Sequence, residues 1–389
     1  AAELKAMLDA GKDLIVVDSR PMSEYRVMSI PGALDCPGAE LAYRVQQAAP
    51  RPETLVVVNC AGRTRSIIGA QSLINAGIPN KVVALKNGTM GWHLAGLELE
   101  CGQTRAAAAP DGDALKKAKT AAARVADRFS IRFLSAKELE KMKSEPRTLY
   151  VFDVRSPEEY AAGHVPGSIS APGGQLVQAT DTYAAVRGAR IALLDDHGVR
   201  ATLTASWLLQ MGWEDVFVVT GAVFDSKDVP ATATLPACPL ISSKDLKASG
   251  ALVLDFANSL QYRAGHIPGA AFAIRSRLPN HVTAFEGPLA CTSPDGLLAR
   301  YAAADLSALL KRDVPALEGG TAAWRAAGLP MEAGETRMLE PPEDVYYKPY
   351  DHQSQVEAAM QDYLQWEVAL LDQIRRDPDC RFRNYPPLG

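Results

Sequence analysis

Val151–Gly167 reads VFDVRSPEEYAAGHVPG, and its parts recur elsewhere in the chain. VVDSR at Val16–Arg20 and VLDFA at Val253–Ala257 match its opening, and a Pro-Gly follows each of them. Asp18, Asp153 and Asp255 stand thirteen residues before Pro31, Pro166 and Pro268, while Tyr25, Tyr160 and Tyr262 stand seven residues after those aspartates. Three copies at one internal spacing mark a repeat.

Each copy continues with a second apolar strand, a helical run, a third strand and a glycine turn. The turn is KNGTMGW at Lys86–Trp92, VTGAVF at Val219–Phe224 and EGGTAAW at Glu318–Trp324. Strands alternating with helical runs of about ten residues predict βαβ units and a mostly parallel sheet covered by helices on both faces. The expected fold class is therefore α/β, with three tandem domains at 1–104, 130–230 and 239–332. An Ala- and Lys-rich segment, 105–129, is the expected helical linker, and Pro-rich 231–238 a short connector. Beyond the repeat lies a tail, 333–389, in which Val356, Met360, Tyr363, Leu364, Leu370 and Ile374 space like one face of an amphipathic helix packed on the domains.

The first copy opens directly on AAELKAML, whereas the second has IRFLS and the third PLIS before the first helix. The expectation is that an edge strand precedes Ala1. Composition is that of an ordinary globular protein, 47% hydrophobic and 22% charged, which argues against disorder. A net charge of -4 predicts no general attraction to nucleic acid or to an anionic membrane. No apolar run approaches the roughly 18 residues of a membrane span, and the expected compartment is the cytoplasm, with a leader compatible with the missing Met.

Cys36, Cys60, Cys101, Cys238, Cys291 and Cys380 form no C-x-x-C pair, so neither a disulfide framework nor a zinc site is expected. The six histidines show no metal-ligand spacing; His164 and His266, in GHVPG and GHIPG, read as structural, and no metal or cofactor is expected. Cys60 differs from the other cysteines. It lies in NCAGRTRS between an apolar strand, Leu55–Asn59, and a helical run, Ser66–Asn75, hence at the carboxyl end of a parallel strand, where ligands bind in open α/β sheets. The loop can turn backbone N–H groups inward as an anion nest, the helix N-terminus adds partial positive charge, and Arg63 and Arg65 add two cations. These features predict a lowered thiol pKa and a nucleophilic Cys60.

These residues resemble the rhodanese family of sulfurtransferases, over Ala1 to about Pro330. The resemblance rests on DSRPMSEY…IPGAL, CAGRTRS and GTMGW in the first copy, DVRSPEEYAAGHVPGS in the second, and QYRAGHIPGAAF with GGTAAWRAAGLP in the third. It implies three rhodanese-like domains in which Cys60 takes the outer sulfur of a small donor such as thiosulfate, becomes a persulfide, and passes the sulfur to cyanide or a thiol. It further implies that Ala61, Gly62, Arg63, Thr64, Arg65 and Ser66 hold the anion and that Arg20 lies near the pocket, although Asp18, Arg20 and Glu24 also read as a structural ion cluster. Cys60 to Arg65 counts six residues, like the sulfurtransferases, whereas the phosphatases and arsenate reductases of this fold carry a seven-residue loop. A different class of function, a sulfur carrier or persulfide sensor loaded by a partner protein, fits the same loop.

The other copies are expected to be inactive. Aligning IALLDDHGVR with LVVVNCAGRT puts Asp196 where Cys60 stands, and a carboxylate forms no persulfide. In the third copy Ser293 takes the cysteine position and Leu298 that of Arg65, with Cys291 two residues early in the strand. Trp92 reads as a core anchor beneath the loop, and Cys36, in LDCPG, as a core thiol or a relay partner for Cys60.

Overall fold

The computed structural model describes residues 1–228 and 234–386. The start of the expected connector, 231–233, therefore lies outside the described residues. The first repeat holds β1 (Leu14–Asp18), β2 (Leu34–Asp35), β3 (Leu55–Asn59) and β4 (Val82–Ala84) in the spatial order β2-β1-β3-β4, all parallel. The second holds β5 (Arg132–Ser135), β6 (Leu149–Asp153), β7 (Ile169–Ser170), β8 (Arg190–Leu194) and β9 (Val216–Thr220), ordered β5-β9-β8-β6-β7. The third holds β10 (Leu240–Ile241), β11 (Leu252–Asp255), β12 (Ala271–Phe272), β13 (Leu289–Thr292) and β14 (Ala316–Leu317), ordered β10-β14-β13-β11-β12. One plan thus occurs three times, the first sheet having four strands and the others five.

The central strands are continuous apolar runs because helices cover both faces: Val56, Val57 and Val58 in β3, and Ile191 to Leu194 in β8, are all buried. Six helices frame the sites discussed below: α1 (Glu40–Ala48), α2 (Thr64–Asn75), α3 (Gly88–Leu94), α4 (Gly112–Phe129), α5 (Val199–Gln210) and α6 (Leu297–Leu310). A seventh, α7 (Val356–Arg376), is the helix anticipated in the tail.

Residues 1–228 and 357–386 form one compact unit, and residues 234–356 another. Within the first, α4 is more than a spacer. Its Ala118, Ala121, Ala122, Val125 and Phe129 are buried in a core that also takes in Val17 and Val58 of the first repeat and Ile191, Leu208 and Val218 of the second. Small alanines on the inner face let α1 and α5 approach it closely. The two repeats also meet backbone to backbone: a Cβ on Gly38 would stand 3.3 Å from the Cα of Gly174, and one on Gly174 3.0 Å from the amide nitrogen of Gly38, so a side chain at either position would push the two backbones apart.

The second unit has its own core of Leu254, Cys291, Ala302, Leu306 and Val314. The chain stays on this repeat past residue 333, since His266 bridges Glu332, Phe272 bridges Met338, and Arg263 donates to the Asp351 carbonyl at 2.6 Å.

Candidate active site

Cys60 follows the last residue of β3, and the start of α2 is four residues further on. What holds it is a buried polar frame. Arg20 grips Asp18 through Nε at 2.9 Å and Nη2 at 2.8 Å, and Asp18 in turn accepts from Asn59 Nδ2 at 2.7 Å. From the other side, the Thr89 and Met90 amides of α3 donate to the Cys60 and Ala61 carbonyls, each at 2.9 Å. Gly88 makes this approach possible: its φ is +54°, and a Cβ there would collide with the Cys60 carbonyl oxygen. Trp92 lies buried below and donates from Nε1 to the Glu98 carbonyl at 2.8 Å, as an anchor should.

Cys60 lines a cavity of about 630 Å³ together with Gly62, Thr64 and Arg65. Other walls come from the second repeat, with Gly173, Leu203, Trp207 and Met211, and from α7 and the segment after it, with Tyr363, Trp366, Glu367, Leu370 and Phe382. Most of these walls are apolar.

Three expectations need correction. Arg20 does not reach the cavity: its side chain is fully buried, and its Nη2 is spent on Asp18 and on the Met28 carbonyl at 2.7 Å. Arg63 turns to a different hollow, lined by Lys86, Asn87, Leu364, Gln365 and Val368, and neither Ala61 nor Ser66 lines the Cys60 cavity. Finally, burial pushes the Cys60 thiol above its ordinary value; Arg65 and the hydroxyl and amide of Ser66 pull it down, but desolvation dominates. The lowered pKa expected from the loop fails because the residue is only 2% exposed and the Arg65 charge is shared with Glu24, at 2.8 and 3.1 Å.

The strand register also moves one assignment. Asp18 pairs with Asn59 across β1 and β3, and Asp153 pairs with Leu194 across β6 and β8. The residue after Leu194 is Asp195, so Asp195 and not Asp196 takes the place of Cys60. Two adjacent aspartates made the sequence alignment slip by one. Arg200 then matches Arg65, and both arginines pair with the matching glutamate, Glu24 for Arg65 and Glu159 for Arg200 at 2.7 Å. Asp195 folds its carboxylate back into its own loop, accepting from the amides of His197, Gly198 and Ala201. In the third repeat Asp255 pairs with Thr292, which leaves Ser293 at the cysteine position, its Oγ accepting from Ala299 N at 3.1 Å. Cys291 is fully buried in β13. Cys36 is likewise buried in the core and does not line the Cys60 cavity.

The rhodanese-like domain family matches residues 1–95 and 135–227. The crystal structure of a thiosulfate sulfurtransferase from Pseudomonas aeruginosa matches 99% of this chain and 75% of its own, at 47% identity and a TM-score of 0.93. The chain belongs to the rhodanese family. It is a rhodanese-like transferase. Shorter stretches resemble an HTH-type transcriptional regulator of Mycobacterium tuberculosis, 34% identical over 101 residues, and the tRNA uridine(34) hydroxylase of Erwinia tasmaniensis, 26% identical over 97 residues. These cover 26% and 24% of this rhodanese and 43% and 27% of the two relatives, so it spans less than half the length of either. No helix among the described residues is long and apolar enough to cross a membrane.

Cys60, Gly62, Thr64 and Arg65 are thus the predicted site residues that come together at one cavity. Sequence reasoning missed Glu367, Tyr363 and Trp207, which lie far along the chain and carry no local motif.

Proposed function

We propose that this protein transfers sulfane sulfur from a small anionic donor, thiosulfate first among them, through a persulfide on Cys60 to a thiophilic acceptor. The Cys60 thiolate attacks the outer sulfur of thiosulfate; the donor's sulfur–sulfur bond breaks, and sulfite leaves with the electron pair. Cyanide or a thiolate then attacks the outer sulfur of the persulfide, and Cys60 departs as the thiolate. The observation that carries this reading is positional: of the three equivalent loop positions, Cys60, Asp195 and Ser293, one holds a sulfur atom, and that one lines a cavity.

Asn59 and the α3 amides fix the Cys60 backbone, Ser66 steadies the sulfur, and Arg65 lowers the cost of its negative charge. The likeness to a protein named for thiosulfate supports that donor. The test is steady-state turnover of thiosulfate with cyanide: Cys60→Ser abolishes it on this account, and a Cys60→Ser protein with undiminished turnover overturns the assignment.

A further inference from the structure

The helix end that an incoming anion would use at Cys60 is already occupied by a carboxylate of the same chain. Glu367, on α7, accepts through Oε1 from the Thr64 amide at 3.2 Å and from the Thr64 hydroxyl at 2.9 Å. Its other oxygen, Oε2, is buried and has no hydrogen-bond partner among the described residues. The same oxygen lies so close over the loop that a Cβ on Gly62 would collide with it. Among the described residues no arginine pairs with Glu367: of the two arginines that line the cavity, Arg65 is held by Glu24 and Arg383 by Glu214 at 2.9 Å, and Arg63 turns to the other hollow. One cavity contains both Cys60 and Glu367, and its remaining walls, Trp207, Met211, Trp366 and Leu370 among them, give the apolar part of an organic acceptor a surface to pack on.

We infer that Glu367 sets acceptor specificity by charge: the site takes organic thiols that carry a cationic group near the sulfur and discriminates against thiols that carry a carboxylate. The inference rests on the Cys60 persulfide reading. The acceptor thiol loses its proton to solvent; its thiolate attacks the outer sulfur of the Cys60 persulfide, the bond from Cys60 to that sulfur breaks with its electron pair passing to Cys60, and the acceptor leaves as a persulfide. An ammonium carried into this cavity is attracted by the Glu367 carboxylate, whereas a carboxylate there meets a like charge in a partly desolvated space.

The test measures kcat/KM with thiosulfate as donor and three acceptors of similar size: 2-mercaptoethylamine, 2-mercaptoethanol and 3-mercaptopropionate. Comparing wild type with Glu367→Gln for each acceptor cancels the thiols' intrinsic reactivities. The substitution is expected to lower kcat/KM for the amine about ten-fold, raise it for the carboxylate about ten-fold, and leave the alcohol within about two-fold. Opposite movements of two acceptors cannot come from general damage to the fold. All three moving together, or none moving, overturns the inference. In the wild type, should the variant not fold, rising salt is expected to erode the amine's advantage over the carboxylate, and a salt-independent ratio overturns the inference. Cys60→Ser run alongside separates the two claims: turnover that survives it removes the persulfide reading itself, whereas turnover lost with it but indifferent to Glu367 removes only the charge selection.

Discussion

Asp195 stands in the second repeat where Cys60 stands in the first, and its carboxylate fills its own loop by accepting three backbone amides. The neighbouring Arg200 has been turned to a structural use. Its guanidinium, with no exposed side-chain surface, reaches Glu159 at 2.7 Å, Asp196 at 2.7 Å and, across to the first repeat, Glu40 at 2.9 Å. An arginine that pairs with a glutamate beside Cys60 in one copy clasps two domains in the next.

Removing that arginine leaves Glu159, Asp195 and Asp196 without their shared cation, while Glu40 keeps Arg44 at 2.5 Å. Arg200→Ala is expected to destabilise the unit formed by the first two repeats by about 3–5 kcal/mol, the size seen when one partner of a buried ion pair is deleted. Denaturant unfolding of the full chain measures it. A loss under about 1 kcal/mol would mean that the cluster contributes little.

The raised pKa of Cys60 fixes a direction for pH dependence. The nucleophile is the thiolate, so alkylation of Cys60 by iodoacetamide is expected to accelerate with pH and to keep accelerating above the range where an ordinary exposed thiol levels off. A rate that levels off below pH 7 would show that Arg65 and Ser66 outweigh burial.

Gly88 supports the loop from below. Gly88→Ala puts a methyl group onto the Cys60 carbonyl at a positive φ, and is expected to cost about 1–2 kcal/mol of stability with a loss of turnover of about ten-fold or more as the loop shifts. Thermal melts and steady-state kinetics on the same preparation check both parts.

Asp255 has lost its partner. Where the first two repeats have Arg20 and Arg155 two residues after the aspartate, the third has Ala257, which supplies one amide at 2.9 Å and leaves Oδ2 without a partner. Burial therefore pushes Asp255 up to about 6. Because the folded value lies above the unfolded one, its contribution is fully present below about pH 4 and is lost as the pH rises through about 6. Asp255→Asn is expected to stabilise the third repeat at neutral pH, by up to about 3 kcal/mol, and to flatten its stability between pH 4 and 6. Scanning calorimetry at the two pH values tests this, and an unchanged pH dependence would contradict it.

Much of the fold was legible because its signals are local. The thirteen-residue interval from Asp153 to Pro166 and its two counterparts marks the end of a first strand and the turn into the next, and β1, β6 and β11 end on those aspartates. The Cys60 loop was legible for the same reason, as a short polar stretch between a strand and a helix. What escaped was register within a run of like residues, where Asp195 and Asp196 differ only in which one faces the loop. Long-range packing escaped as well: the Cys60 cavity takes walls from α7, some 300 residues downstream. Nothing beside Cys60 in the sequence announces Glu367.

The central claim is that sulfur is carried on Cys60 and on no other cysteine. Protein incubated with thiosulfate alone, without an acceptor, and then analysed by intact mass and peptide mapping, tests it most directly. The account predicts a gain of one sulfur atom, located on the Cys60 peptide, discharged by cyanide and absent from Cys60→Ser. A sulfur gained by the Cys60→Ser protein, or mapped to Cys36 or Cys291, would contradict it.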